Sequence, residues 1–219
     1  MHFPKVELKT LIMTKCQTIA LLLTQMFLMS GCSPQQTEYE NKKAVVARFG
    51  NAGSTTGYHN IRLMTIRDTS GGGAGFAYGA VSGYPGASAD IGGMGIPKSI
   101  EGFWAKQTAS KDDLEGYFKI SAPIEAQLAE KKIQTLNRYY ANYTRRQGVM
   151  QVVVDSERVR VFYTLKCFET YKDCTPRENA DPNGWVIRSL ADSTDVVLLF
   201  DGKGESSDTP FPGSPYEEK

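Results

Sequence analysis

The chain has 219 residues, of which 25 are Lys or Arg and 24 are Asp or Glu, so its formal net charge at pH 7 is +1. This balance excludes the strongly basic surface with which proteins bind nucleic acid or an anionic membrane. The length suits one ordinary domain with short flanking segments. We therefore expect a single domain that does not bind nucleic acid.

Residues 1–32 have the composition of a secretory leader. Three lysines precede an apolar run over residues 18–29, which ends in Ser30-Gly31-Cys32. A basic start, a short apolar stretch and small residues before a cleavage point are the parts of a signal peptide. The alternative is a transmembrane helix, but the run is shorter than the roughly 20 residues that span a bilayer. The cysteine resembles the lipidation site of bacterial lipoproteins, which implies a signal peptide over 1–31 and lipid on Cys32.

The residues after Cys32 bear on where the domain is held. Ser33, where lipoproteins of the inner membrane carry an aspartate, implies by resemblance an anchor in the outer membrane with the domain facing the periplasm. Residues 32–43 comprise the lipidated cysteine and a polar stretch that predicts a flexible tether. Met13 is an alternative start that would also leave a good leader.

The first structured part of the chain contains two predicted strands and a glycine-rich segment. Residues 44–49 are rich in valine, and residues 58–67 alternate apolar and polar side chains. Residues 71–95 then contain ten glycines in 25 positions. Their spacing does not fit G-x-G-x-x-G, so a phosphate cradle is not predicted.

Aromatic side chains within the glycine-rich segment favour short strands with bulges and tight turns. The alternative is a mobile loop that becomes ordered on a partner. Loops carry binding more often than strands do, so Phe76, Tyr78 and Tyr84 are our candidate partner-binding residues.

The middle of the chain predicts two strands, over residues 100–107 and 114–121, followed by one long amphipathic helix over 122–146. Ser121 would cap the helix, Pro123 would lie in its first turn, and Gly148 would end it. Its apolar stripe comprises Ala129, Ile133, Leu136, Tyr140 and Tyr143. Such a stripe is typical of a helix that packs on a core.

The last part of the chain predicts four strands and a tail. Residues 149–154 and 158–165 form the strongest hairpin pattern, and residues 185–190 and 196–200 complete the domain, which we place at 44–201. Residues 202–219 are rich in proline, glycine and polar side chains, which predicts a disordered tail. The fold class predicted is α+β, with a mainly antiparallel sheet of about seven or eight strands and one long helix.

Two cysteines remain in the predicted mature chain besides Cys32. Cys167 and Cys174 are close in sequence, and the periplasm is an oxidising compartment, so we predict a disulfide that pins a local loop. A metal site is not predicted, because the spacing is not C-x₂-C and no histidine lies nearby.

Few residues of the mature chain suggest catalysis. His59 is the only histidine after the leader, and no motif serine accompanies it, so it could equally be a surface residue near a strand start. Trp104 and Trp185 could stack on sugars, but buried strand aromatics are commoner. We predict no catalytic residue, no metal and no cofactor.

Several features resemble a family of uncharacterised proteobacterial lipoproteins, known as domain of unknown function 2931. They are the lipoprotein cysteine, the glycine-rich middle, the run from Gly95 to Ile100 that leads into Phe103-Trp104, and Gly116-Tyr117-Phe118 before a helix. The resemblance spans residues 45–165 and implies no catalytic residues. By analogy of gene class, small lipoproteins of this kind often look like immunity proteins encoded beside secreted antibacterial toxins, especially lipases.

These observations favour a membrane-anchored binding protein that is not an enzyme, with a secreted lipase-type toxin as its expected partner. Two alternatives stay open. One is a structural or assembly accessory lipoprotein of the cell envelope, and the other is a hydrolase of lipid or glycan that would depend on His59 or a carboxylate.

Overall fold

A computed structural model of the chain describes residues 46–88, 91–108, 113–143, 148–165, 174–189 and 194–217. These residues belong to one compact unit, Lys43–Lys219. They contain ten strands and one helix, which are numbered here in chain order. The elements are β1 (Ala47–Asp68), β2 (Gly73–Ser88), β3 (Gly93–Met94), β4 (Pro97–Gln107), β5 (Leu114–Pro123), α1 (Ala126–Tyr139), β6 (Gly148–Asp155), β7 (Arg158–Thr164), β8 (Val186–Arg188), β9 (Asp195–Lys203) and β10 (Glu205–Ser207).

The strand β1 is the centre of the sheet, and its two halves have different neighbours. Its C-terminal half pairs antiparallel with β4, and its N-terminal half pairs parallel with β6. The strand order is β10-β5-β4-β1-β6-β7-β9-β8, while β2 and β3 pair with β1 outside this path. Two separate strands were predicted here, over 44–49 and 58–67. The structure instead has one continuous strand, β1, over Ala47–Asp68.

The predicted fold class, α+β with a mainly antiparallel sheet of about seven or eight strands and one long helix over 122–146, is wrong. The described residues form a ten-stranded sheet that is mixed, because β1 and β6 run parallel. The helix has only 14 residues. A parallel pairing between strands distant in sequence leaves no local pattern, so the sequence could not indicate it.

The helix α1 is shorter than predicted at both ends. Ser121 does not cap it, because Ser121 lies in β5 and pairs with Glu101. At the other end, the Arg177 backbone N–H donates to Tyr139 O at 2.8 Å, and its Nε donates to Tyr140 O at 3.1 Å. These bonds satisfy carbonyls that a continuing helix would have used. Of the predicted stripe, Ala129, Ile133 and Leu136 are buried within the helix.

The strands β9 and β10 connect two parts of the sheet that are far apart in the strand order. Only Gly204 separates them, yet β9 pairs with β7 and β10 pairs with β5. A Cβ atom at Gly204 would lie 2.5 Å from Lys119 O and 2.8 Å from the Trp104 ring. Only glycine therefore allows the chain to pass this closely from one half of the sheet to the other.

The C-terminal residues are not the disordered tail that was predicted for 202–219. Residues 205–207 form β10, and Phe211 and Tyr216 in the segment that follows contact residues of β1, β4 and β5. Tyr216 is buried, its hydroxyl donates to Asn60 O, and the Arg62 guanidinium lies 5.0 Å from its ring centroid. Composition misled here because a few aromatic anchors hold a segment that is otherwise polar.

The glycine-rich segment forms β2 and β3, which pair with β1. Four register shifts interrupt the pairing of β2 with β1. Gly86 has φ +73°, and a Cβ there would lie 2.1 Å from Ala52 O. Glycine thus permits the close, irregular approach of β2 to the central strand.

Candidate functional site

A serine, a histidine and an aspartate meet inside the protein, where β1 passes the turn between β6 and β7. Ser54 and His59 lie in β1, and Asp155 is the last residue of β6. Ser54 and His59 are fully buried, and Asp155 is 9% exposed. The surface position considered for His59 is therefore wrong. Sequence reasoning also missed its serine partner, because no motif marks Ser54.

The hydrogen bonds around His59 define its tautomer. The Ser156 backbone N–H donates to Nε2 at 3.0 Å, so Nε2 must carry the lone pair. In a neutral imidazole the proton then sits on Nδ1. Nδ1 lies 3.0 Å from Ser54 Oγ and 3.3 Å from Gly57 O, so it donates toward these two acceptors.

The Asp155 carboxylate accepts hydrogen bonds from residues of β1 and from Arg160 in β7. Ser54 Oγ donates to Oδ1 at 3.1 Å, the Thr55 backbone N–H at 2.6 Å and the Thr56 backbone N–H at 3.0 Å. Thr55 Oγ1 donates to Oδ2 at 2.8 Å, and Arg160 Nη2 forms an ion pair with the same oxygen. Burial alone would raise the pKa of Asp155, but these hydrogen bonds outweigh it and hold the pKa below its ordinary value.

The order of these three residues does not match a serine hydrolase. In a catalytic triad the histidine lies between serine and aspartate and takes the serine proton. Here Ser54 lies in the middle, receives a hydrogen bond from His59 and donates its own proton to Asp155. The lone pair that could serve as a base is held by the Ser156 N–H. The geometry therefore joins β1 to the β6–β7 turn and does not activate Ser54.

We expect the protein to lose stability as the pH falls below about 6.5, the ordinary pKa of histidine. Burial lowers the pKa of His59, and this outweighs the raising effects of the Gly57 carbonyl and the Asp155 charge, while Lys106 lowers it further. The unfolded chain then binds a proton more readily than the folded protein, so falling pH favours unfolding until the folded pKa is passed. Urea unfolding measured between pH 5 and pH 8 tests this.

The matched variant for this prediction is His59→Gln. It removes the titrating group, so the slope of unfolding free energy against pH in this range should vanish in the variant. The loss that comes from Asp155 belongs to a lower range, because its folded pKa is depressed and its contribution disappears only as the pH falls through that value. A slope that persists unchanged in His59→Gln would contradict the assignment to His59.

A shallow surface hollow lies beside the same turn. It has a volume of about 310 Å³ and is lined by Glu157, Arg158, Asp201, Gly202 and Lys203. Arg158 Nε donates to Asp201 Oδ1 at 2.7 Å, and Lys203 Nζ lies 3.1 Å from Glu157 Oε1. The charged groups of the hollow thus form two ion pairs, and the hollow has no net charge to attract a ligand.

The three candidate partner-binding residues occupy different environments along β2. Phe76 is buried and stacks on Phe49 at a centroid distance of 4.4 Å, so its ring belongs to the core. Tyr78 is half-buried, and its hydroxyl has no hydrogen-bond partner among the described residues. Burial raises the pKa of Tyr84 to about 12, and its hydroxyl donates to Gln151 Oε1. The structure therefore does not gather these side chains into one exposed patch.

The tryptophans also have structural roles. Trp104 is fully buried, stacks on Phe118 at 5.5 Å and donates from Nε1 to Ser156 O at 2.6 Å. Trp185 is half-buried against the core. The Trp104 ring therefore presents no open face for a sugar.

The cysteine predictions fall partly outside the described residues. Cys32 and Cys167 lie outside them, and Cys174 is disulfide-bonded. The pairing of Cys167 with Cys174 stays a prediction. Cys174 lies next to a contact with the end of α1. The Ala141 backbone N–H, just beyond α1, donates to Thr175 O at 2.8 Å.

The described part of the chain contains neither a cluster of metal ligands nor a membrane-spanning helix. No group of three or more His, Cys, Asp or Glu side chains there could hold a metal ion. In those same ranges, no helix has the length and apolar character needed to cross a bilayer.

Comparison with protein-family models, with curated proteins and with solved structures found no match. The resemblance to the lipoprotein family noted above therefore stays a prediction.

Proposed function

We propose that this chain is a lipoprotein, anchored through Cys32 in the outer membrane, that acts in the periplasm by binding another protein. The observation that carries the proposal is that Ser54, His59 and Asp155 are all hydrogen-bonded within the fold. The lone pair of His59 Nε2 accepts a hydrogen bond from the Ser156 N–H, and Ser54 is fully buried. The grouping that most resembles catalytic machinery is thereby better suited to holding strands together.

The anchor is supported by the sequence of the leader. The apolar run over residues 18–29 is too short to span a bilayer, and Ser30-Gly31-Cys32 follows it. Two or more acyl chains on one cysteine would anchor the protein stably, since each buried CH₂ contributes about 0.8 kcal/mol. A Cys32→Ser variant should leave the membrane fraction, and metabolic labelling with palmitate should fail on it.

The proposed partner is a secreted antibacterial toxin, with a lipase-type toxin as the expected class. This step rests on the resemblance in gene class, and its test is a challenge experiment. Cells that lack this gene are exposed to the product of the neighbouring gene in the periplasm, with and without the wild-type chain supplied from a plasmid. We expect survival only when the chain is supplied, and a stoichiometric complex in a pull-down with the same product.

The outcomes of this test separate the alternatives. Equal survival with and without the chain would overturn the immunity role, and envelope defects in the absence of any toxin would favour an accessory role in envelope assembly. Hydrolysis of lipid or glycan substrates by the purified chain, abolished by Ser54→Ala, would overturn the binding-protein proposal altogether.

A further inference from the structure

We propose that β2 pairs edge to edge with β2 of a second copy of this chain, so that one sheet continues across a twofold axis. This inference does not depend on the proposed function. It starts from a hydrogen-bonding edge of the sheet that the rest of the described chain leaves open.

The strand β2 has 16 residues and pairs with a single strand, β1. Each strand in a sheet has two hydrogen-bonding edges, so one edge of β2 is without a strand partner in the described residues. Exposed edges present a row of N–H and C=O groups that another chain can pair with. At the far end of the strand order, β8 also has a single strand partner among the described residues, but it has only three residues and includes Arg188.

The charge pattern of β2 favours a second copy as the occupant. Near a twofold axis each residue lies close to the same residue of the other copy, so a charged residue there would lie near a like charge. None of the 16 residues of β2 is charged. Proteins that keep an edge strand unpaired commonly place lysine or other charged residues on it, and β2 carries none.

The side chains of β2 suggest where the axis lies. If the axis passes through Ala77, Phe76 of one copy lies opposite Tyr78 of the other, and Gly75 lies opposite Gly79. Phe76 and Tyr78 share one face of the strand, with their rings 5.3 Å apart. Cross-strand aromatic pairs stabilise antiparallel pairing. Ala77 itself is exposed and small, so it leaves room for close approach.

The same strand also limits how far the pairing extends. Pro85 lacks an N–H and so cannot donate to a new partner strand. Residues 73–81 contain no proline, and they form the segment that an axis at Ala77 would pair with itself. The proposed interface is therefore these nine residues of β2.

The test is sedimentation velocity of the full chain, purified in density-matched detergent, over a range of protein concentrations. We expect a monomer–dimer equilibrium. Hydrogen exchange should show protection of residues 73–81 that increases with protein concentration. Ala77→Lys should weaken the dimer at least about tenfold, because it places two ammonium groups at the axis.

The matched control is Ser82→Lys, which adds the same charge at an exposed position of the same strand beyond the paired segment. It should dimerise as the wild type does, and both variants should retain the wild-type circular dichroism. A chain that stays monomeric at all concentrations would overturn the proposal. So would a dimer that Ala77→Lys leaves intact, or protection of residues 73–81 that appears only with a different protein.

Discussion

Replacing Asp155 with asparagine is expected to reduce the free energy of unfolding by roughly 3–5 kcal/mol, as breaking a buried ion pair typically does. Asp155 and Arg160 have side chains that are 8% and 15% exposed, and they pair with each other. Asparagine keeps the size but removes the charge, and its amide would meet N–H and O–H donors on every side. Urea unfolding at pH 7 measures the loss.

A matched substitution tests whether the loss of stability depends on the burial of the ion pair or only on the loss of a charge. Asp201→Asn removes the same charge from an ion pair with Arg158, whose side chain is 54% exposed against 34% for Asp201. Exposed pairs contribute little to stability, so this variant should stay close to wild type. Equal losses in the two variants would mean that Asp155 has no special structural role.

The buried cluster shows why this site could not be predicted from the sequence. Ser54 and Asp155 are 101 residues apart in the chain, and neither lies in a recognisable motif. Their meeting depends on the parallel pairing of β1 with β6, which is a property of the whole sheet. The sequence did indicate that His59 would be the only histidine to consider, but not that it would be buried in mid-strand.

Local patterns predicted the hairpin well. The β6–β7 hairpin was predicted over 149–154 and 158–165, and the strands run over Gly148–Asp155 and Arg158–Thr164. Alternating side chains and a short polar turn are sufficient for this, because both strands and their connection are adjacent in sequence. The helical spacing of Ala129, Ile133 and Leu136 did indicate a helix in this region, but the predicted long helix over 122–146 was wrong, because only Ala126–Tyr139 is helical.

Errors arose where distant contacts override the local pattern. Tyr140 continues the spacing of the helical stripe, but in the structure it lies beyond α1, forms a bridge with Pro176 and donates from its hydroxyl to Asp195 at 3.0 Å. Residues 50–57 lack apolar alternation, yet they remain in β1 because β2 and β6 pair with this part of the strand. In both places the partner segment decides the conformation.

Trp104→Ala is expected to cost roughly 3–5 kcal/mol of the free energy of unfolding, the usual range for removing a large buried aromatic side chain. Trp104 is fully buried, and it connects β4 to the β6–β7 turn through the hydrogen bond to Ser156 O. Trp185→Ala, at a half-buried position, should cost clearly less. Chemical unfolding of both variants at neutral pH makes the comparison.

A second substitution separates the stability that the Trp104 ring contributes from the stability that its hydrogen bond contributes. Trp104→Phe keeps an aromatic ring against Phe118 but leaves Ser156 O without its donor, which should cost about 1–3 kcal/mol. Ser156 is bonded through its N–H to His59 and through its carbonyl to Trp104. Losses from Trp104→Phe and Asp155→Asn should therefore not add in the double variant, because both loosen the same turn. Strict additivity would mean that β1 and β4 hold the turn independently.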